Sequence, residues 1–353
     1  MAQPLPKTTQ QWNVTGFNGL ESLTFSEQPV PELGDTQVLV KIQGAALNFR
    51  DIIIPAGTYP WPVKPNVIPG SDGAGTVLAI GSRVTRFAPG DKVVTIINQA
   101  FIAGSMTPQI LASGLGAEID GTFRTVGAFD EHGLVAFPDG LSFTEAATLS
   151  CAGITAWNAL FGLVDKQVGP GQWVLTQGTG GVSLFVVQLV KAVGGRVIAT
   201  TSSSEKAKIL EKLGADHIIN YRETPDWGSA AKALTGGVGV DIVVDVAGPS
   251  TLKQSVESVK IDGTVVTMGF VGGGSEGHEV PTILDAWIKN FTARGIWTGS
   301  RQHMEELCRA IGANLEKLRP VIDSKVFKLD QLKQALEYLQ QGKHQGKVVI
   351  EID

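Results

Sequence analysis

Residues 173–201 read WVLTQGTGGVSLFVVQLVKAVGGRVIATT, and the order of apolar and glycine positions within them decides the fold. Trp173 to Thr176 form a short apolar run of the kind that makes a buried strand. The glycine-rich segment Gln177 to Ser183 interrupts it, after which Val182, Phe185, Val186, Leu189 and Val193 recur at helical spacing. A second apolar run, Arg196 to Thr200, closes a strand, turn, helix and strand unit that carries a dinucleotide in many folds. Gly178 serves the turn, and Gly180 lets the backbone approach a pyrophosphate. The amides of Thr179, Gly181 and Val182 and the positive helix end would then hold it. Ser183 stands where the usual motif has its third glycine, and is small enough for close packing. A glycine turn with no ligand is the bland alternative; the complete unit around it favours the cofactor.

In a site for NAD the second strand ends in an Asp or Glu that binds the ribose hydroxyls. Here it ends in Thr201-Ser202-Ser203-Ser204-Glu205-Lys206, with no acid at the strand end. Ser202, Ser203 and Lys206 suit a 2′-phosphate, which a carboxylate would repel, so NADPH is the expected cofactor. The serines also have a structural reading: Ser202 and Glu205 have capping-box spacing.

Outward from this stretch, residues 12–150 show short alternating strands with frequent turns, such as Val38, Val40 and Ile42 in QVLVKIQG, and predict an irregular β-barrel. From about residue 170 short apolar strands alternate with helices, which predicts a parallel α/β sheet. The final run KVVIEI is barrel-like again. The expected division is a catalytic barrel domain of residues 1–152 and 298–353 around a nucleotide domain of residues 153–297.

At 353 residues two hydrophobic cores are expected. The net charge of −5, without like-charge blocks, argues against a nucleic-acid partner. Apolar runs are too short to span a membrane, and the opening MAQPLPKTTQQW lacks a secretory segment, so a cytoplasmic protein acting on a small molecule is expected. The 2 cysteines, Cys151 and Cys308, form no CxxC pair, and the 5 histidines are scattered, so no metal site is expected.

The pieces GSDGAGTVLAIGSRVTRFAPGDKVV, LSFTEAATLSCAGITAWNAL, QGTGGVS, LGADHIINY and GKVVI together resemble the medium-chain dehydrogenase/reductase superfamily over nearly the whole chain. The resemblance implies a GroES-like β-barrel, a Rossmann domain of doubly wound parallel sheet, an active site in the cleft between them, and a homodimer through Rossmann edge strands. Where zinc alcohol dehydrogenases of this superfamily place a Cys and a His, the matching residues are Asn48 and Ser71, and only Cys151 persists. Amide and hydroxyl oxygens are poor Zn²⁺ ligands. Cys151 therefore reads as a small buried residue, and the chain as zinc-free.

The segment ALNFRDIIIPAGTYP is similar to zinc-free quinone and enoyl-thioester reductases. By that similarity Tyr59 is the implied proton donor, and Asn48 holds the substrate or the ribose-nicotinamide end. Packing of Tyr59 on Trp61 or Pro60 is its structural alternative, and Arg50 and Asp51 read as a local ion pair. The family pattern further implies Tyr221 beside the adenosine phosphate, the backbone of Phe270 and Val271 against the nicotinamide amide, and Ser300 and Arg301 near the cofactor; a strand-end aromatic for Tyr221 and a surface charge for Arg301 are the equal structural alternatives. Substrate shape is left to Trp61, residues 101–110 and residues 283–287.

Three functions stay open at this level. The first is an NADPH-dependent reductase of α,β-unsaturated carbonyls, quinones or enoyl substrates. The second is a carbonyl reductase or alcohol dehydrogenase acting on ketones or aldehydes. The third is an NADPH-binding sensor or structural protein with little turnover.

Overall fold

Strand β3 (Gln37–Ala46) organises the first of two units described by the computed structural model, which covers residues 4–353. Val38, Val40 and Ile42 are buried as their alternation predicts, but Leu39 is buried too. The reason is position: β3 pairs with β4 (Asp72–Ile80) on one side and with β6 (Val126–Asp130) and β15 (Lys347–Glu351) on the other, and the helix Phe143–Ala147 packs on it. Beyond β4 the barrel sheet continues through β5 (Lys92–Thr95) to β7 (Leu134–Ala136), and β14 (Ile322–Lys328) flanks β15. A separate hairpin joins β1 (Thr8–Val14) to β2 (Leu23–Pro29). Gly75 is required where β3 and β4 bulge together, because a Cβ there would lie 1.9 Å from the Lys41 carbonyl. The core beneath includes Val38, Ile42, Leu47, Phe123, Leu134 and Ile350.

The second unit, Thr155–Thr298 with Glu316–Leu318, is the parallel α/β sheet. Its strands are β8 (Trp173–Gln177), β9 (Arg196–Thr201), β10 (His217–Asn220), β11 (Val240–Asp245), β12 (Val259–Thr267) and β13 (Thr292–Gly295). They run parallel in the order β10-β9-β8-β11-β12-β13. This order reverses at β8, so the loops at the carboxyl ends of β8 and β11 diverge there; that is the switch point where doubly wound sheets bind ligands. Leu175, Ile198, Val243 and Val265 fill the core under the helices.

The first unit comprises residues up to Ile154 together with Gly299–Leu315 and Arg319–Asp353. Among the described residues no helix is long and apolar enough to cross a membrane.

Candidate functional site

The glycine turn sits between β8 and the helix Gly181–Ala192. Gly178 has φ +78°, the left-handed region that a side chain disfavours. Gly180 is the helix N-cap with no side chain to satisfy the first turn, and a Cβ there would meet nothing within 4 Å. The leading amides of this helix therefore face outward without intrahelical acceptors. Ser183 is buried, and its hydroxyl donates to the Gln177 carbonyl at 2.6 Å, bolting the helix to the strand end in place of close glycine packing. Gln177 in turn donates to the buried Asp245 carboxylate at 3.0 Å, while its amide oxygen takes the N–H groups of Val246 and Ala247. This ties the β8 turn to the loop after β11.

At the next strand end the structure changes one expectation. The cap of the helix Ser204–Lys212 is Ser203, whose hydroxyl accepts the Lys206 N–H at 3.3 Å; the Ser202 and Glu205 capping box does not form. Ser202 is left at the loop. Lys206 is half-buried, and burial followed by the nearby charge of Arg222 lowers its pKa. Tyr221 is exposed, with its N–H bonded to the Thr201 carbonyl at 3.0 Å, so Arg222 stands just beyond the register pair Asn220 and Thr201. Arg222 is a cation that the sequence reading passed over. Phe270 and Val271 lie exposed after β12, held to the β11 loop through the Val271 N–H and Gly272 N–H.

Ser300 and Arg301 fall in the barrel unit. Ser300 caps the helix Arg301–Ala313 through the His303 N–H at 3.3 Å. Arg301 is engaged with Glu305 at 3.4 Å and with the His132 ring at 3.0 Å.

The second constellation is a buried polar corner of the barrel. Asn48 follows β3 and begins the turn into the helix Arg50–Ile53; Ser71 and Asp72 open β4; Lys347 opens β15. Lys347 Nζ donates to the Leu47 carbonyl at 2.6 Å, to Asn48 Oδ1 at 2.7 Å and to Asp72 Oδ2 at 3.1 Å. Asn48 Nδ2 donates to Ser71 Oγ at 3.4 Å, and Ser71 Oγ donates to Asp72 Oδ1 at 2.8 Å. Cys151 lies on a π-helical turn, Leu149–Gly153, a distortion frequent at functional sites. Burial and then the Asp72 charge push its thiol up to about 12, so it is neutral at physiological pH.

Arg50 and Asp51 do not form the expected ion pair. Asp51 Oδ2 accepts the Asn48 N–H at 2.8 Å, a local turn that fixes where Asn48 leaves the strand. Burial pushes its carboxyl up to about 6 against the pull of Arg50. Arg50 instead donates to the Leu115 carbonyl at 2.6 Å and to Tyr59 Oη at 3.2 Å. Tyr59 also packs against Trp61, with ring centroids 5.2 Å apart. Its hydroxyl accepts from Arg50 and donates to no other group among the described residues, and burial raises its pKa.

Lys347 and Asp72 were missed by sequence reasoning, although each is a charge at the first position of an otherwise largely apolar strand.

A barrel bearing a polar corner and a parallel sheet bearing a glycine turn define the architecture of nicotinamide-dependent dehydrogenases and reductases. Residues 34–139 match the family model for the alcohol dehydrogenase GroES-like domain, and residues 181–313 that for zinc-binding dehydrogenase. A zinc-type alcohol dehydrogenase-like protein of Schizosaccharomyces pombe is 43% identical over 96% of this chain and 97% of its own length. A crystal structure of a putative alcohol dehydrogenase from Sinorhizobium meliloti has a TM-score of 0.88 at 36% identity, covering 99% of this chain and 100% of that one. A crotonyl-CoA carboxylase/reductase in complex with NADP has a TM-score of 0.83 at 25% identity, covering 99% of this chain and 97% of that one. The chain belongs to the medium-chain dehydrogenase/reductase superfamily, an oxidoreductase family that binds nicotinamide cofactors.

Proposed function

We propose that this protein is a zinc-independent, NADPH-dependent reductase of α,β-unsaturated carbonyl, quinone or enoyl substrates. The observation that carries the reading is the ring formed by Asn48, Ser71, Asp72 and Lys347. A tetrahedral Zn²⁺ does not fit it: the ammonium of Lys347 already occupies the amide oxygen and the carboxylate, and an amide and a hydroxyl stand where thiolate or imidazole ligands would be needed. Among the described residues no group of three or more His, Cys, Asp or Glu side chains stands ready for a metal.

The nucleotide fits the parallel-sheet unit. Gly178 and Gly180 leave the helix amides open to a pyrophosphate, and Lys206 with Arg222 provides cations for a 2′-phosphate. NADPH, when bound, supplies the hydride that reaches the β-carbon of the substrate. Asn48 binds the carbonyl oxygen, on which negative charge grows as the enolate forms. Tyr59 donates its proton to the α-carbon, and the Arg50 guanidinium at its oxygen stabilises the phenolate left behind.

The decisive assay follows NADPH oxidation in EDTA with cyclohexenone, a naphthoquinone and a crotonyl thioester, against a saturated ketone. Turnover of the conjugated substrates in chelator supports the reading. Turnover of the ketone alone, with stoichiometric zinc in the purified protein, would transfer it to the alcohol dehydrogenase chemistry named for its relatives. Tight NADPH binding with no turnover at all would leave the sensor role.

We also propose that the functional unit is a homodimer. Among the described residues the sheet edge strand β13 pairs only with β12, and the adjoining helix Ile283–Ile288 exposes Ile283, Leu284, Trp287 and Ile288. An open strand beside an apolar helix face is self-complementary across a two-fold axis.

A further inference from the structure

The four-residue ring in the barrel corner fixes the orientation of an amide, which is ordinarily ambiguous. An ammonium only donates, and the Asp72 carboxylate only accepts. Ser71 therefore spends its single proton on Asp72 and accepts from Asn48, and the Asn48 oxygen must face Lys347. All three Lys347 hydrogens are committed, to Leu47, Asn48 and Asp72, so the ammonium has none left for a ligand. Its side chain and that of Asp72 are 6% and 0% exposed, whereas Asn48 is half-buried and reaches the surface of the corner. Of the two Asn48 Nδ2 hydrogens, one makes the long bond to Ser71, and the other has no acceptor among the described residues.

We propose that Lys347 is a positioning residue that locks Asn48 as an obligatory hydrogen-bond donor, so that the outward Nδ2 hydrogen binds the substrate's carbonyl oxygen. The inference rests on the reading of Asn48 as a substrate contact and adds how that contact gets its polarity. The charge of Lys347 reaches the substrate only through the amide, because a cation on Oδ1 polarises the N–H groups of the same amide and strengthens their donation. Asp72 neutralises the lysine and holds Ser71 in the accepting orientation.

Two variants separate this inference from the reading beneath it. Asn48→Asp keeps an acceptor for Lys347 but has no N–H, and should lose about 10²–10³-fold in kcat on cyclohexenone. Lys347→Gln removes the charge and lets the amide turn; kcat should fall about 10–100-fold, with the NADPH Kd unchanged. If the unpaired Asp72 prevents folding, Lys347→Gln combined with Asp72→Asn removes both charges and carries the same expectation. An active Asn48→Asp enzyme overturns the substrate role of Asn48. An inactive Asn48→Asp enzyme beside a fully active Lys347→Gln enzyme overturns the positioning role alone. A readout independent of turnover is the Asn48 side-chain NH₂ signal in isotope-labelled protein, assigned by its loss in Asn48→Asp. It should move toward free-amide shifts in the lysine variant, and an unmoved signal refutes the lock.

Discussion

Arg50 Nη2 donates to Tyr59 Oη at 3.2 Å while the same guanidinium lies 5.2 Å from the centre of the Tyr59 ring. The arginine thus holds the hydroxyl by its lone pair and leaves its proton available. Tyr59→Phe should lower turnover of an enone by about 10²-fold, with NADPH affinity and melting temperature nearly unchanged, since the ring still packs on Trp61. Arg50→Met should lower turnover as well, by destabilising the phenolate. If Tyr59→Phe retains its rate, the tyrosine is a packing residue.

Asp51 gives a pH signature. Its folded-state pKa, about 6, lies above the ordinary 3.8, so the fold binds this proton more tightly than the unfolded chain does. The stability it contributes is fully present below about 3.8 and is lost as pH rises through about 6. Asp51→Asn does not titrate. Its stability relative to the native protein should improve between pH 4 and 7 by about 1–3 kcal/mol. Urea midpoints of both proteins across that range measure it, and parallel curves would show that Asp51 does not change protonation there.

The two cations beyond β9 and β10 predict nucleotide preference. Lys206→Ala should weaken NADPH binding by about 1–3 kcal/mol, the scale of a charge-assisted hydrogen bond, and Arg222→Ala should act in the same direction. NADH lacks the phosphate and should bind either variant as before. Calorimetric titration with both nucleotides decides, and equal losses for the two would remove the phosphate assignment.

Trp287 is 78% exposed beside the open edge of β13. Trp287→Asp places a charge on the proposed two-fold surface and should shift the protein from dimer to monomer in sedimentation velocity. A native protein that sediments as a monomer at micromolar concentration would refute the dimer directly.

Much of the parallel-sheet unit was legible because its signals are local. The turn at Gly178, the helix after it and the strand end at Thr201 lie within one continuous stretch, and each step depends on neighbours in sequence. A serine of this run caps the helix, but it is Ser203 rather than the Ser202 that capping-box spacing points to, because Ser202, Ser203 and Ser204 are chemically alike and only backbone geometry chooses among them. The barrel corner was legible only in part. Asn48 and Ser71 drew notice through resemblance, but the partner that orients them comes from the far end of the chain, and no periodicity links Lys347 to Asp72. Arg50 and Asp51 show the converse limit: adjacent opposite charges invite a pairing that the turn at Asn48 and the carbonyl of Leu115 outcompete.

Lys347 stands 299 positions after the Asn48 it orients, which gives the corner a timetable as well as a geometry. A chain made from its N-terminus displays Asp72 to the ribosome's surroundings long before the counter-ion exists, and β15 must be threaded beside β3 before that carboxylate can be shut away from water. The parallel-sheet unit, whose contacts are nearer in sequence, is free to mature first. The barrel corner is therefore among the last parts of the molecule to close, and a polypeptide interrupted before Lys347 leaves Asn48 and Asp72 without the ammonium that bridges them.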